Sequence, residues 1–348
     1  MADSDAPMGP AAPAQLSRRM IIGFGLAAPT LAVPWLSGCA PTDPAVDGPS
    51  LTPGAPTPAT SSPLESPTDS ATAAPQPSAK AAAPEQALAG LAAAILAGPH
   101  RKQLSKDRRE LLTFLRNAHT AHARAIVDPP PTAAPAEIAG MSLNSSLALL
   151  GRRESSAAGS YRSAALKVKG SEALLLGSLS AAAGSFAAAI GSGNPPGTTP
   201  VADREPVEVL SEIDAVSELV RQLHAIVYGY QLSIGKFKVF SKQRSKAERE
   251  LLAQRIFRDR LIAWLRKHSA EVPAAAPAYV PSVVPRNPAT AGKLIMHMQT
   301  ALEPFCGLWL AAAATQQDRQ QALSALTGAM KTARSWGARL AAWPGYSA

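Results

Sequence analysis

Cysteine and aromatic residues are scarce in this sequence, and both shortages narrow the choice of fold. The 348 residues include two cysteines, Cys39 and Cys306, and 5% aromatic residues. If Cys39 is modified, as argued below, Cys306 has no partner for a disulfide bond within the chain. Alanine-rich chains with so few aromatic side chains favour helices packed through alanine and leucine over sheets. The sequence therefore predicts an all-α protein.

Familiar catalytic motifs are missing as well. The sequence contains no glycine-rich phosphate-binding loop, no Gly-x-Ser-x-Gly elbow and no Cys-x-x-Cys pair. Without a complete set of catalytic residues, we expect a binding or scaffold protein rather than an enzyme, and we expect no cofactor. A metal-dependent oxidase or metal-storage module is the alternative.

The strongest single pattern lies near the N-terminus and is typical of an export signal. Arg18 and Arg19 precede a mildly apolar stretch that ends in Leu36-Ser37-Gly38-Cys39. This ending resembles the lipobox of bacterial lipoproteins. The paired arginines resemble a twin-arginine signal, with an ordinary Sec signal as the alternative. We therefore expect residues 1–38 to direct export, and a lipid on Cys39 to hold the protein on the outer face of the cell membrane.

A transmembrane helix is not expected in this leader. Its apolar part is short and interrupted by Pro29 and Pro34, whereas a membrane span needs about 20 largely apolar residues. Attachment to the membrane is therefore expected through the lipid alone.

Positive charge is in excess and is locally concentrated. The formal net charge is +9, which suits anionic lipid or a phosphate-bearing wall polymer as a neighbour; nucleic acid is not expected outside the cell. Four lysines cluster around the first tight turn of the second folded half: Lys236, Lys238, Lys242 and Lys246. A solvated face is the simpler interpretation, and contact with an anionic surface is the more specific one.

Composition divides the rest of the chain into four segments. Residues 39–84 are mostly proline, alanine, serine and threonine, which predicts a disordered tether. Residues 85–191 show the apolar spacing of a small helical bundle. Residues 192–205 are rich in glycine and proline and are interpreted as a linker. Residues 206–348 are predicted to form a four-helix domain.

The first folded half contains one candidate metal site. The spacing of apolar residues predicts four helices, the second of which begins after Ser105. His119 and His122 lie one turn apart on this helix, and Glu154 interrupts the apolar face of the next. Together they could offer two nitrogens and a carboxylate to a metal. The alternative is structural: His119 faces water, His122 is half-buried and Glu154 pairs with an arginine. It is favoured because one His-x-x-His motif is a weak signal.

The second half has clear helix starts and an informative order of connections. Short connections are expected near Ser241 and Thr315, with a long proline-rich one over residues 270–286. This short, long, short order is the ferritin-like arrangement of a four-helix bundle. The last helix is expected to carry its apolar face on through Leu340 and Trp343. The predicted helix starts follow capping residues: Ser211, Ser245, Asn287 and Thr315.

Three segments of this half resemble a known family. They are Leu223-His-Ala-Ile-Val-Tyr-Gly-Tyr230, Arg255-x-x-Arg258-Asp259-x-Leu261 and Pro273-Ala-Ala-Ala-Pro-Ala-Tyr279. They resemble the signatures of an uncharacterised ferritin-like domain (domain of unknown function 4439) found in exported lipoproteins of high-GC Gram-positive bacteria. The resemblance covers residues 211–343. It implies the ferritin-like fold but no established activity.

Departures from the ferritin-like pattern predict a bundle without metal. Such sites need inward carboxylates and Glu-x-x-His pairs. Leu223 occupies the place where the family usually has an acid before His224, and Leu251 and Gln254 stand where a Glu-x-x-His would be. Five residues could still line a pocket, although structural roles are favoured for all of them: His224, Tyr228, Tyr230, Arg258 and Asp259.

Overall fold

The computed structural model describes residues 79–127, 138–193 and 195–347. Within these residues the protein is helical, with no strand and one isolated bridge between Thr198 and Leu340. The all-α prediction is therefore confirmed. The predicted export residues Arg18, Arg19 and Cys39 lie outside the described residues, as does the predicted tether up to residue 78.

Four helices form the first group. They are α1 (Ala79–Ala97), α2 (Lys106–Ile126), α3 (Leu143–Ala165) and α4 (Gly170–Ile190), with a short 3₁₀ turn before α2. α1 packs on α2, and α3 packs on α4. The side chain of Ser105 caps α2 as predicted, by accepting a hydrogen bond from the Arg108 amide. Because α1 begins at Ala79, the last residues assigned to the tether are helical.

α4 is the apolar helix that joins the two groups. It contacts α2 and α3 on one side and two helices of the second group on the other. At Gly177 a side-chain Cβ would lie 2.3 Å from a methyl carbon of Leu310, so any larger residue would force the Leu310 side chain to shift. By length and composition α4 could cross a membrane, but 78% of its apolar window is buried inside the protein. α4 is therefore a core helix of the protein.

The second group contains α5 (Glu212–Ile234), α6 (Lys242–Lys267), α7 (Pro288–Ala312) and α8 (Gln316–Ser335). The connections between them are short, long and short, in the predicted order. Ser211, Asn287 and Thr315 cap α5, α7 and α8 as predicted, each accepting a backbone amide with its side chain. The ferritin-like assignment of this bundle stays a prediction.

The start of α6 differs from the prediction. Ser241, rather than Ser245, is the capping residue, and its hydroxyl accepts the Arg244 amide at 3.2 Å. The two serines lie one turn apart, and Ser241 is the one with the extended backbone that a helix cap requires. The predicted capping box is thus already inside the helix.

The end of α8 also differs from the prediction. The helix stops at Ser335, because Gly337 takes a φ of 101° and the Ala338 amide bonds back to the Ala333 carbonyl. The residues beyond Gly337, called the C-terminal tail here, run to the first group. There Leu340 and Ala342 join the apolar core of α1 to α4.

Candidate metal centre

Four titratable side chains meet in the core of the first group. Glu85 comes from α1, His119 and His122 from α2, and Glu154 from α3. The two histidines share one face of α2 because they are three residues apart. Glu154 lies on the apolar face that packs α3 into the core. None of the four side chains is more than 1% exposed.

Distances within this cluster are those of direct contacts. Oε2 of Glu85 lies 2.7 Å from Nδ1 of His119 and 2.9 Å from Nδ1 of His122. Nε2 of His119 lies 2.7 Å from Oε1 of Glu154, and Nε2 of His122 lies 2.8 Å from the carbonyl oxygen of Ala342. One ligand atom from each of Glu85, His119 and His122 falls within 4.8 Å of the others, as a metal site requires.

Hydrogen-bond chemistry restricts where the ring protons lie. The Ala342 carbonyl can only accept, so Nε2 of His122 carries a proton and donates to it. Nε2 of His119 donates to Glu154 when that carboxyl is ionised. In neutral imidazoles both Nδ1 atoms would then turn lone pairs toward the same Glu85 oxygen. That contact is repulsive unless a proton or a cation lies between the atoms.

The electrostatics of the cluster favour charge separation. Burial disfavours the ionised form of Glu85, but His119 and His122 outweigh it and lower the pKa of Glu85. Burial likewise disfavours a charged His119, but Glu154 and Glu85 outweigh it and raise its pKa to about 10. Burial and then Glu85 raise the pKa of the neighbouring Tyr161. A positive charge between the two carboxylates is thus strongly preferred.

Aromatic rings enclose the two histidines. Phe186 lies edge-on to His119 and parallel to His122, with ring centroids 5.6 and 6.3 Å apart. Trp343 lies 4.6 Å from the His122 ring. Oε2 of Glu154 is buried and has no hydrogen-bond partner among the described residues. The rings therefore form an apolar shell around the histidines, and Oε2 of Glu154 inside it could accept a further hydrogen bond.

The C-terminal tail completes the site. Leu340 donates its amide to Gly197 and accepts the amide of Thr199, which fixes the tail beside the segment that follows α4. Nε1 of Trp343 donates to the carbonyl oxygen of Ala202. These contacts place the Ala342 carbonyl against His122.

Sequence reasoning found part of this cluster. It placed His119, His122 and Glu154 together as metal candidates. The favoured alternative, with His119 in water, is wrong because α1 covers that face of α2 and leaves His119 without exposure. The sequence prediction does not include Glu85, because it starts the first folded half at that residue, whereas α1 begins at Ala79. The signal for Glu85 was available: it is the only acidic residue of α1.

The predicted pocket residues lie in two different places. His224 contacts the carbonyl oxygen of Pro273, 3.2 Å away in the long connection, and Tyr228 lies against Tyr279. Arg258 and Asp259 pair with each other at 2.8 Å. Tyr230 points into the core instead.

A second polar cluster surrounds Tyr230. Its hydroxyl donates to Glu250 and accepts from the Gln299 amide, both at 3.1 Å. Nε1 of Trp336 donates to the same Glu250 oxygen at 2.8 Å. Glu303 lies elsewhere on α7, where burial raises its pKa to about 8.

The four lysines of the basic turn have different surroundings. Lys236, Lys238 and Lys242 are exposed. Lys246 is half-buried: its ammonium donates to the Ser335 carbonyl at 2.8 Å and lies 4.0 Å from the centre of the Trp336 ring. The expectation that Lys246 faces solvent is therefore wrong, because the end of α8 packs against it.

Comparisons with known proteins match part of the chain to a family but give no activity. A solved structure that matches, a conserved hypothetical protein from Mycobacterium tuberculosis, is 24% identical; the match covers 37% of this chain and 97% of that one, with a TM-score of 0.35. A search of curated proteins found no match. The predicted family resemblance is confirmed: residues 215–348 match the family described as "Domain of unknown function (DUF4439)".

Proposed function

We propose that this protein holds a divalent transition-metal ion between Glu85, His119 and His122. The observation that carries the proposal is the convergence of two Nδ1 atoms on one Glu85 oxygen while both Nε2 atoms already donate elsewhere. A metal cation among the three atoms would replace the ring proton that otherwise joins Nδ1 of His119 to Glu85, and would coordinate both Nδ1 lone pairs and the carboxylate oxygen. Two imidazoles and a carboxylate form a donor set typical of zinc and other first-row metals.

The surroundings of the three ligands support the same proposal. Histidines that bind metals usually donate their second ring nitrogen to a carboxylate or a backbone carbonyl, which fixes the tautomer. Glu154 takes this role for His119, and the Ala342 carbonyl takes it for His122. The aromatic shell keeps the local dielectric low and strengthens the binding of charge.

The burial of the ligands favours a binding role over catalysis. All three are enclosed, and two surface clefts lie elsewhere: one of about 730 Å³ lies between α3 and α4, and one of about 390 Å³ lies beside residues 198–201. A metal held in this position links α1 and α2 and, through the outer partners, α3 and the C-terminal tail. The metal then acts as a structural or stored ion.

The proposed place of action is the outer face of the cell membrane. Arg18 and Arg19 before an apolar stretch, and Leu-Ser-Gly before Cys39, support export and a lipid anchor. A twin-arginine route suits a protein that binds its metal before export. The second group, with its ferritin-like order of connections, would serve there as the scaffold.

The experiment is elemental analysis of the full chain purified from the membrane fraction of its own host. We expect about one equivalent of iron, manganese or zinc, retained by the control His297→Ala, which removes an exposed histidine. Glu85→Gln is nearly isosteric, and we expect it to lose the metal while circular dichroism shows an unchanged helical content. Cobalt titration of the apoprotein provides a second measurement, because the visible spectrum of cobalt reports nitrogen ligands.

Two results would contradict the proposal. One is a folded protein from its own host that contains no metal and shows no cobalt spectrum. The other is Glu85→Gln binding as much metal as the parent. Either result would leave the cluster as a structural ion network in which His119 is protonated between the carboxylates of Glu85 and Glu154.

A further inference from the structure

The turn between α5 and α6 is firmly anchored on its inner side. Phe237 is buried and stacks on Trp336, with ring centroids 5.6 Å apart. The Ser241 amide then donates to the Lys238 carbonyl at 3.1 Å, which closes a four-residue turn. The two central residues of this turn, Val239 and Phe240, form its tip.

The tip is apolar and projects into solvent. Phe240 is 97% exposed and Val239 is 64% exposed. Phe240 also has a φ of 62°, a left-handed conformation that turns normally assign to glycine or asparagine at this position. A bulky residue there is an outlier. Neither packing within the protein nor backbone preference explains why phenylalanine occupies position 240. Contact with an external partner would explain it.

Unpaired positive charge surrounds the tip. Lys236, Lys238 and Lys242 are exposed, and none forms an ion pair with a described residue. The sequence has no acidic residue between Glu218 and Glu248. Glu248 itself is paired with Arg244. The turn therefore exposes two apolar side chains next to three lysines that form no ion pair with a described residue.

We propose that this turn inserts Val239 and Phe240 into an anionic lipid surface while the three lysines bind headgroup phosphates. Aromatic residues at the membrane interface combined with basic neighbours are a known means of peripheral attachment. A wall polymer offers phosphate charge but no apolar layer, so it would use the lysines and leave Phe240 without a partner. The inference goes beyond the metal site, and it stands whether or not a metal is bound.

Vesicle sedimentation of the full chain tests this proposal. Every variant carries Cys39→Ser, so that no acyl chain contributes, and the leader is common to all. The vesicles contain phosphatidylglycerol with phosphatidylcholine, or phosphatidylcholine alone. We expect Phe240→Asn to weaken binding to the anionic vesicles about tenfold, because it removes the apolar contact and keeps the turn. Val280→Asn changes an equally exposed apolar residue and should have no effect.

Charge and folding are tested separately. Lys236, Lys238 and Lys242 changed together to Gln should weaken binding to anionic vesicles by about two orders of magnitude and reduce its dependence on salt. Phe240→Asn should melt at the same temperature as the parent or higher, since asparagine tolerates the positive φ. Equal vesicle binding by Phe240→Asn, a lower melting temperature, or tighter binding to purified wall polymer than to vesicles would overturn the proposal.

Discussion

The two helix groups solve the problem of buried polarity in opposite ways. The first group collects two carboxylates and two imidazoles in direct contact, all without exposure. The second group surrounds one half-buried carboxylate, Glu250, with the neutral donors of Tyr230 and Trp336. The first core thus holds groups of opposite charge in direct contact. The second core satisfies its carboxylate through hydrogen bonds from neutral side chains, which are weaker than contacts between opposite charges.

This difference separates fold resemblance from chemistry. The resemblance and the family match both concern the second group. Among the described residues of that group, no histidine and carboxylate set of the kind used by ferritin-like metal sites comes together. The set that fits a metal lies in the first group, on α1 and α2, before the matched residues begin. Chemistry therefore has to be argued from the assembled side chains rather than from the recognised domain.

The largest expected effect comes from breaking the charged core. In protein kept free of metal by a chelator, Glu85→Ala should lower the free energy of unfolding by about 3–5 kcal/mol, because it leaves two buried imidazoles without their shared partner. Urea denaturation followed by circular dichroism measures this. Glu110→Ala, an exposed acid on α2, should change stability by less than about 0.5 kcal/mol. A loss below about 1 kcal/mol for Glu85→Ala would mean that the two cores do not differ as described.

The next effect concerns the carboxyl group of Glu303 in the second group, whose pKa is strongly raised by burial. The folded pKa of Glu303 is about 8, against 4.5 for an unperturbed glutamate, because the side chain is buried. The folded state therefore holds the proton more tightly, and the stability this gives is present below pH 4.5 and lost as the pH rises through 8. Glu303→Gln should raise stability by on the order of 3 kcal/mol at pH 7, and by little at pH 4.5.

Denaturation curves at these two pH values measure the Glu303 effect. The same substitution at exposed Glu110 serves as the control and should give no such pH dependence. If Glu303→Gln gained as much stability at pH 4.5 as at pH 7, titration of this carboxyl would not be the cause.

The smallest effect comes from the neutral hydrogen bonds of the second core. Tyr230→Phe removes the hydroxyl that links Glu250 to Gln299, and should cost about 1–2 kcal/mol. Tyr228 lies two residues earlier on α5. Tyr228→Phe should be nearly neutral, since its ring contacts Tyr279 and no hydrogen bond of its hydroxyl is found in the described part of the chain. Thermal melting of both variants provides the test. Equal losses would mean that the Tyr230 contacts contribute little.

Local signals in the sequence predicted much of the helical frame. Ser105, Ser211 and Asn287 were identified as caps because a cap acts within four residues of chain. The end of α8 was missed although Gly337 was visible, because the apolar spacing through Leu340 and Trp343 was followed instead. Those residues are apolar because they pack on the first group, not because the helix continues.

The candidate site was less accessible to sequence reasoning. His119 and His122 share a helix face, so their proximity follows from spacing alone. Glu85 meets His119 across 34 positions, and the Ala342 carbonyl meets His122 across 220. Contacts of this kind depend on how the helices pack, which no local pattern specifies.

The contact between Ala342 and His122 also has a consequence for the order in which the site forms during translation. A ribosome that has added His122 must add 220 more residues before the Ala342 carbonyl, to which the His122 ring donates, exists. Every nascent chain therefore passes through a long period in which Nε2 of His122 lacks this acceptor, although first Glu85 and then Phe186 are present to contact the ring. A chain that stops before Ala342 never gains this acceptor, so the hydrogen bond from Nε2 of His122 marks a chain translated at least that far.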